Sequence, residues 1–313
     1  MNSQDIKNAI SGVLVVDKPV GMTSHDVVEA VRRGTGIRRA GHTGTLDPRA
    51  SGVLVILIGP AVRLSEYVSA SDKRYQAIIR LGSSTDTFDA DGKFTQQSQP
   101  VNVTEEQFEK ILKNFEGEIE QTPPPYSAVK VGGRRAYDMA RQGEEVELTP
   151  RKIQVHHLEV LEWAPPEAVV DVHCSSGTYV RSLANDIGAQ LGTGAYLVGL
   201  RRTKSGRFSL RDATPLRKLQ EAFQAGNWYQ YLIPAAEALA DWPAIELNPD
   251  EVEEVRHGHR VKQAADAPAS EMVRGVSAAG ELIALMIPAA GEDGSPEWQP
   301  KKVFFTSEAK VEN

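Results

Sequence analysis

Helices and strands in mixed order, over about two domains, form the architecture this sequence predicts. Three features carry that reading. Its 313 residues exceed what one average domain holds. Apolar runs such as Val53-Leu54-Val55-Ile56-Leu57-Ile58 are short and bounded by Gly or Pro, as buried strands are. Two cap signatures, Thr23 with Asp26 and Thr104 with Gln107, each open an amphipathic stretch, as capped helices do.

Gly12 to Val16 is the opening strand. After Thr23, residues Val27, Val28 and Val31 share one helical face, and Gly34 is the expected stop. Val53 to Ile58 is a buried strand, Lys73 to Gly82 another, and Ser83 to Lys93 a polar loop. After Thr104, residues Phe108, Ile111, Leu112 and Phe115 recur at helical spacing. Gln121 to Arg151 breaks the pattern with Pro123-Pro124-Pro125, Gly132-Gly133, a helical stretch around Arg134 to Arg141 and an acidic run at Glu144 to Glu147. This is read as a semi-independent excursion. Val155 to Trp163 and Val169 to Cys174 are strands. Tyr179 to Leu191 is a helix burying Val180, Leu183, Ala184, Ile187 and Leu191. Ala195 to Leu210 reads as strand, turn and strand. A boundary is expected near Asp241 to Asp250, between Pro243 and Pro249. Beyond it, segments such as Leu282 to Met286 and Val303-Phe304-Phe305 suggest a small β-rich module.

The single cysteine, Cys174, excludes an internal disulfide and any cysteine-based zinc site. That suits a reducing compartment. No apolar run reaches the length of a membrane helix, and Met1 to Ile10 lacks a signal-peptide pattern. A cytoplasmic protein is expected. The net charge of −7 argues against nucleic acid, but its distribution does not. Gly199 to Lys218 holds seven basic residues and one acid, whereas Glu221 to Glu254 holds eight acids and no Lys or Arg. Such segregation permits a local basic face on an acidic protein.

Chemistry concentrates in Gly41-His42-Thr43-Gly44-Thr45-Leu46-Asp47-Pro48-Arg49-Ala50-Ser51-Gly52, a polar loop running into the buried strand. A loop anchored on a rigid strand is a common place for catalysis. Pro48 biases Asp47 away from helical backbone. Spacing alone favours a turn in which Asp47 caps its own backbone.

GHTGTLDP followed by SGVL closely resembles the active-site motif of the TruB family of tRNA pseudouridine synthases, whose aspartate is the nucleophile. Further motifs match in chain order. Gly12-Val13-Leu14-Val15-Val16-Asp17-Lys18-Pro19 with Gly21-Met22-Thr23-Ser24-His25-Asp26 resembles the family's opening. Lys73-Arg74-Tyr75 resembles its K-x-Y motif, and Thr85-Asp86-Thr87 with Asp89 and Gly92 follows. Pro124 to Val131 and Arg135-Ala136-Tyr137 resemble its inserted RNA-gripping thumb. Ser176-Gly177-Thr178-Tyr179-Val180-Arg181-Ser182-Leu183 resembles the arginine-bearing motif, and Leu200-Arg201-Arg202-Thr203 with Ser205-Gly206-Arg207-Phe208 completes the set. Two departures are Val62-Arg63, where threonine and lysine are more usual, and Arg49, where leucine is.

The resemblance implies an α+β pseudouridine synthase fold: a large mixed, mainly antiparallel sheet with flanking helices, then a small C-terminal β-rich PUA-like domain. The domains would be 1–243, with the thumb-like insertion at about 121–151, and 244–313. It implies isomerisation of uridine 55 in the tRNA T-loop. That reaction cleaves N1–C1′ and rejoins the base through C5, with no redox change and hence no cofactor. Asp47 would be the nucleophile, attacking either C6 of the base or C1′ of the sugar. Arg181 resembles the arginine that partners the carboxylate and favours its charged form. Tyr75 would stack on uracil and help remove the C5 proton. Tyr179 and Leu200 would line the base pocket, with Lys18 and Pro19 beneath the catalytic loop. His42 would enter the space vacated by the flipped uridine and replace lost stacking. Arg135, Arg141, Arg202 and Arg207 are expected to contact RNA phosphates. The implied protein is a monomer acting on the T-arm of tRNA, without a membrane or an obligatory protein partner.

A non-catalytic RNA-binding module is the first rival, opposed by Asp47, Tyr75 and Arg181. The second is the catalytic subunit of a guide-RNA particle, opposed by the insertion. Without the resemblance, a glycoside-cleaving enzyme would be the reading, but spacing nominates no second catalytic carboxylate. Gly192-Thr193-Gly194 lacks a dinucleotide loop's third glycine. His156-His157 should point to opposite faces of a strand, and His257-Gly258-His259 has no evident third ligand. No metal site is indicated.

Overall fold

A computed structural model describes residues 10–96, 100–127, 129–144 and 146–304; the side chains of Gln96, Lys130, Arg135 and Arg141 lie outside the described set. The chain forms two compact units, one of Met1–Pro48, Leu54–Ser69 and Arg207–Asn313, the other of Arg49–Val53 and Ala70–Gly206. The strand Ala50–Ile58 runs from one into the other. It belongs to a large mixed sheet in the order Thr214–Pro215, Gly12–Lys18, Ala50–Ile58, Ala195–Ser205, Lys73–Leu81, Glu167–Cys174, Arg151–Ala164 and Gly117–Gln121. The pairings from Ala195–Ser205 to Gly117–Gln121 are antiparallel. Those to Thr214–Pro215 and of Ala195–Ser205 with Ala50–Ile58 are parallel. The expected α+β architecture is therefore present.

In the first unit, Gly12–Lys18 is buried along nearly its whole length. The helix Ser24–Thr35 starts as expected: Thr23 Oγ1 accepts from Asp26 N at 3.0 Å and Asp26 Oδ2 from Thr23 N at 2.8 Å. Its end differs from the expectation. The helix passes through Gly34 and stops at Gly36, which adopts φ 70°. Gly34 is instead a packing site, because a Cβ there would lie 2.2 Å from the Phe223 ring. Phe223 belongs to the helix Leu216–Ala225, which the sequence reading did not assign.

Residues 244–303 build their own five-stranded sheet: Ala244–Leu247, Val273–Ser277, Leu282–Ala290, Pro296–Val303 and Val261–Lys262. The sequence reading did not assign the helix Pro249–Arg256 that packs on it, although Asn248 and Glu251 form a capping box with Pro249 in the first turn. Val255, Val273, Ala284 and Met286 are fully buried there with Trp298. Arg63, one of the departures from the family pattern, donates to Val303 O and lies over the Phe304 ring at 5.8 Å. Phe305 lies outside the described residues.

In the second unit, Lys73–Leu81 alternates buried and exposed positions. The helix Glu105–Leu112 has its expected capping box, then tightens into a 3-10 turn, Lys113–Phe115. Phe108, Leu112 and Phe115 are buried. The excursion contains a two-residue-per-strand hairpin, Lys130–Val131 with Arg134–Arg135, and the helix Ala136–Arg141. Val180–Gln190 is the expected helix, with Tyr179 as N-cap; Leu191, expected on its buried face, is the half-buried C-cap. No helix among the described residues is long and apolar enough to cross a membrane.

Candidate active site

Asp47 stands on a backbone pinned on both sides. Before it, the Ser24 hydroxyl donates to Leu46 O at 3.0 Å and accepts from Leu46 N at 2.8 Å. After it, Pro48 O accepts from Gly21 N at 2.8 Å, with the Lys18 ammonium 3.5 Å away. Lys18 Nζ also donates to Met22 O at 2.6 Å and Pro19 O at 2.9 Å. Leu46 is buried, whereas Asp47 is half-buried. These local anchors hold the loop on either side of Asp47.

Lys18 is 0% exposed, and its ammonium reaches the backbone carbonyls beneath the loop. Pro19 is exposed beside it. Ser24 carries no sequence signal for this role; only the folded chain brings it to Leu46.

His42 ends the short strand Ala40–His42 and is half-buried. Its Nδ1 accepts from Gly44 N at 3.4 Å. Thr43 N donates to Val55 O at 3.1 Å, tying the loop to the buried strand.

The remaining expected residues lie in the second unit. Tyr75 is 9% exposed, in register with Val172 on one side and Arg202 on the other. Leu200 is flanked by Ala50 and Ala77, small residues on both neighbouring strands. Gly52 is obligatory where it stands: φ is 101° and a Cβ would sit 2.2 Å from Arg202 O. Tyr179 is clamped by Gln121, whose side chain donates to Tyr179 O at 3.1 Å and accepts from Tyr179 N at 2.8 Å. Gln121 was not singled out by the sequence, because one glutamine at the end of a strand carries no signal without its partner.

Arg181 is 8% exposed. Its guanidinium donates to Tyr126 O at 3.1 Å and Thr87 O at 3.3 Å and lies 3.4 Å from Asp89 Oδ2. Asp89 is oriented in turn by Thr87 Oγ1 at 2.6 Å and Asp91 N at 3.0 Å. The polar segment after Lys73–Leu81 thus positions the arginine. Arg49, the other departure, pairs with Asp91 in the same segment.

The basic cluster divides. Arg202 is 1% exposed, and its Nε donates to Val53 O at 2.7 Å. A guanidinium so buried does not reach a phosphate, and its expected role is corrected to a structural one. Arg207 is exposed but paired with Glu237 at 2.6 Å. Arg135 and Arg141 have side chains outside the described set. Lys73, buried near Arg202, is held down to about 8, first by desolvation and then by that positive charge.

Known structures define the class. The fold resembles "Structure of H/ACA RNP bound to a substrate RNA containing 2′-deoxyuridine", with TM-score 0.73 and 26% identity over 98% of this chain and 88% of that one. It also resembles "Crystal Structure of a Cbf5-Nop10-Gar1 Complex", with TM-score 0.73 and 28% identity over 97% and 88%. Sequence narrows the class. The model described as TruB family pseudouridylate synthase (N terminal domain) matches residues 32–180. Those for the tRNA pseudouridylate synthase B C-terminal domain and for tRNA Pseudouridine synthase II, C terminal, match 181–240 and 242–305. The chain belongs to the TruB family of pseudouridylate synthases, enzymes of the isomerase class. It is 47% identical to tRNA pseudouridine synthase B of Symbiobacterium thermophilum over 80% of this chain and 82% of that protein. The same-named protein of Thermobifida fusca is 46% identical over 80% and 86%, and that of Mycobacterium sp. (strain KMS) is 43% identical over 90% and 92%.

Proposed function

We propose that this enzyme converts uridine 55 in the T-loop of tRNA to pseudouridine, with Asp47 as nucleophile. The observation that carries the assignment is the half-buried Asp47 carboxylate on a backbone fixed through Leu46 and Pro48. In the proposed reaction the carboxylate adds covalently and later leaves. The N1–C1′ bond breaks, the base turns, C5–C1′ forms, C5 loses its proton and N1 gains one. Atoms and electrons balance without a second substrate. Arg181 supplies fixed positive charge to the reaction centre. Tyr75 stacks on the base and assists removal of the C5 proton, Tyr179 and Leu200 line its pocket, and His42 fills the stack that the flipped uridine leaves.

Recognition rests on the folded shape of the T-arm and on phosphate contacts. Arg207 and the insertion's Arg135 and Arg141 are proposed among those contacts, and residues 244–313 as a PUA-like RNA-binding module separate from a catalytic domain of 1–243. The enzyme is proposed to act in the cytoplasm as a monomer without an obligatory protein partner. The resemblance to guide-RNA particles favours a second reading, a subunit of such a particle. Identity of 43–47% to proteins named tRNA pseudouridine synthase B, against 26–28% to those particle structures, supports the stand-alone enzyme.

The test is release of tritium from C5-labelled uridine in an unmodified tRNA transcript, with mass-resolved mapping of the product. The pure protein should modify position 55 alone, and Asp47→Asn should abolish product while holding tRNA affinity within about tenfold, because base chemistry and backbone contacts are separate terms. Near-parental release by Asp47→Asn would sink the nucleophile assignment. A requirement for added guide RNA would sink the stand-alone reading.

A further inference from the structure

Asp72, His156 and His173 bring a carboxylate and two imidazoles together in the second unit, with one potential ligand atom from each within 4.8 Å of the others. Asp72 Oδ2 is 3.0 Å from His156 Nε2, and the two imidazole rings are 4.7 Å apart. Three separate segments contribute: the link into Lys73–Leu81, the strand Arg151–Ala164 and the strand Glu167–Cys174.

The cause of the cluster is a β-bulge. In a regular strand His156 and His157 would face opposite ways, which is the expectation the structure overturns. Here the register shifts between Val155, opposite Cys174, and His157, opposite His173. His156 is the extra residue, so both histidines of the pair oppose His173, and the bulge re-aims the first of them. His157 turns to Glu116 at 3.2 Å, whereas His156 joins His173 and Asp72. Asp72 is itself held, because its carbonyl accepts from Gly206 N at 2.9 Å.

We propose that these three residues bind a divalent transition-metal cation, a site separate from the RNA chemistry assigned to Asp47. Two imidazoles and one carboxylate suit Zn²⁺, Co²⁺ or Ni²⁺ rather than the all-oxygen preferences of Mg²⁺ and Ca²⁺. Three protein ligands leave a position for water. Donors about 2.0–2.2 Å from a tetrahedral ion stand about 3.3–3.6 Å apart, so the 3.0 Å between Asp72 Oδ2 and His156 Nε2 must open slightly, a movement that rotation of these two exposed side chains supplies. One observation removes an obvious objection: Arg74, directly opposite His173, is neutralised by Asp171, whose oxygens lie at 2.7 and 2.9 Å. A bound cation would staple the hairpin Arg151–Cys174 to the start of the strand that carries Tyr75.

The test is titration of the tag-free, chelator-treated full chain with Co²⁺ and Zn²⁺, read by visible absorption, calorimetry and thermal melting. One cation per chain should bind at micromolar concentration and raise the melting temperature. His156→Gln and His173→Gln should each weaken binding by more than about tenfold, the loss that removing even an outer partner causes. His259→Gln, at a histidine paired instead with Glu254, should change nothing. If His173→Gln fails to fold, the exposed His156 decides the matter alone. Absence of binding at millimolar metal, or binding unaffected by His156→Gln, would reduce the cluster to an Asp–His ion pair beside a second ring.

Discussion

Removing the Ser24 hydroxyl should disarm Asp47 without touching it. Ser24→Ala deletes the donation to Leu46 O at 3.0 Å and the acceptance from Leu46 N at 2.8 Å. Ser24 is 2% and Leu46 3% exposed, so water cannot replace the hydroxyl unless the loop moves. Each buried backbone group left without a partner costs about 1–3 kcal/mol, or roughly 2–6 kcal/mol for the two if the loop stays in place. Better helix propensity at the first helical position returns at most about 0.5 kcal/mol. Shifting the loop to admit water is the cheaper response, so net destabilisation should settle near 1–3 kcal/mol. Asp47, the next residue, then moves with Leu46, and misplacement of about 1 Å lowers the rate by on the order of 100-fold. Urea unfolding measures the first quantity and single-turnover tritium release the second. A variant within about 0.5 kcal/mol of the parent in stability, and within about threefold in rate, a barrier change below about 1 kcal/mol, would refute the reasoning.

Other expectations separate structural from chemical roles. If His42 replaces stacking, His42→Phe should retain more tritium-release activity than His42→Ala and keep the parental pH–rate profile, whereas a lost limb would show proton transfer. Arg202→Ala should cost about 2–4 kcal/mol in urea unfolding and leave the salt dependence of tRNA binding unchanged, whereas Arg207→Ala should flatten that slope by somewhat under about one unit; a flattened slope in folded Arg202→Ala would return that residue to the RNA path. Burial first, and the Arg202 charge second, lowers Lys73 from 10.5 to about 8. Between those two values the unfolded chain holds a proton that the folded chain has released. Stability from this group therefore rises with pH across that window, and Lys73→Met should lose the rise in urea melts at successive pH values.

Local features were legible from residue order. Capping at Thr23 and Thr104 involves partners three residues away, so the hydrogen bonds follow from the sequence. The same logic would have found the helix after Asn248. Its missed signal was a capping box with proline at the first position, inside a stretch read only for acidity. The stop at Gly34 went the other way. A glycine near a helix end has two explanations, a left-handed cap or close packing, and Phe223, far along the chain, selects the second.

The loop that carries Asp47 was visible as a motif, and its support was not. Ser24 lies 22 residues from Leu46, and Gln121 lies 58 from Tyr179. Neither side chain has a periodicity or a neighbour that announces the pairing. Arg202 shows the limit most clearly: charge statistics put it on a basic surface, whereas a strand pairing and the Val53 carbonyl, 149 residues away in the chain, bury it. His156 needed one more level, because a single extra residue in a ladder reverses the face that alternation assigns. The sequence by itself determined what short-range chemistry decides: where the helices capped by Thr23 and Thr104 begin, which loop carries the aspartate, and which family the motifs resemble. Only the tertiary structure decided which charges are buried, which polar groups hold the loop and which histidines meet, because each of those depends on the free energy of contacts between residues distant in the chain.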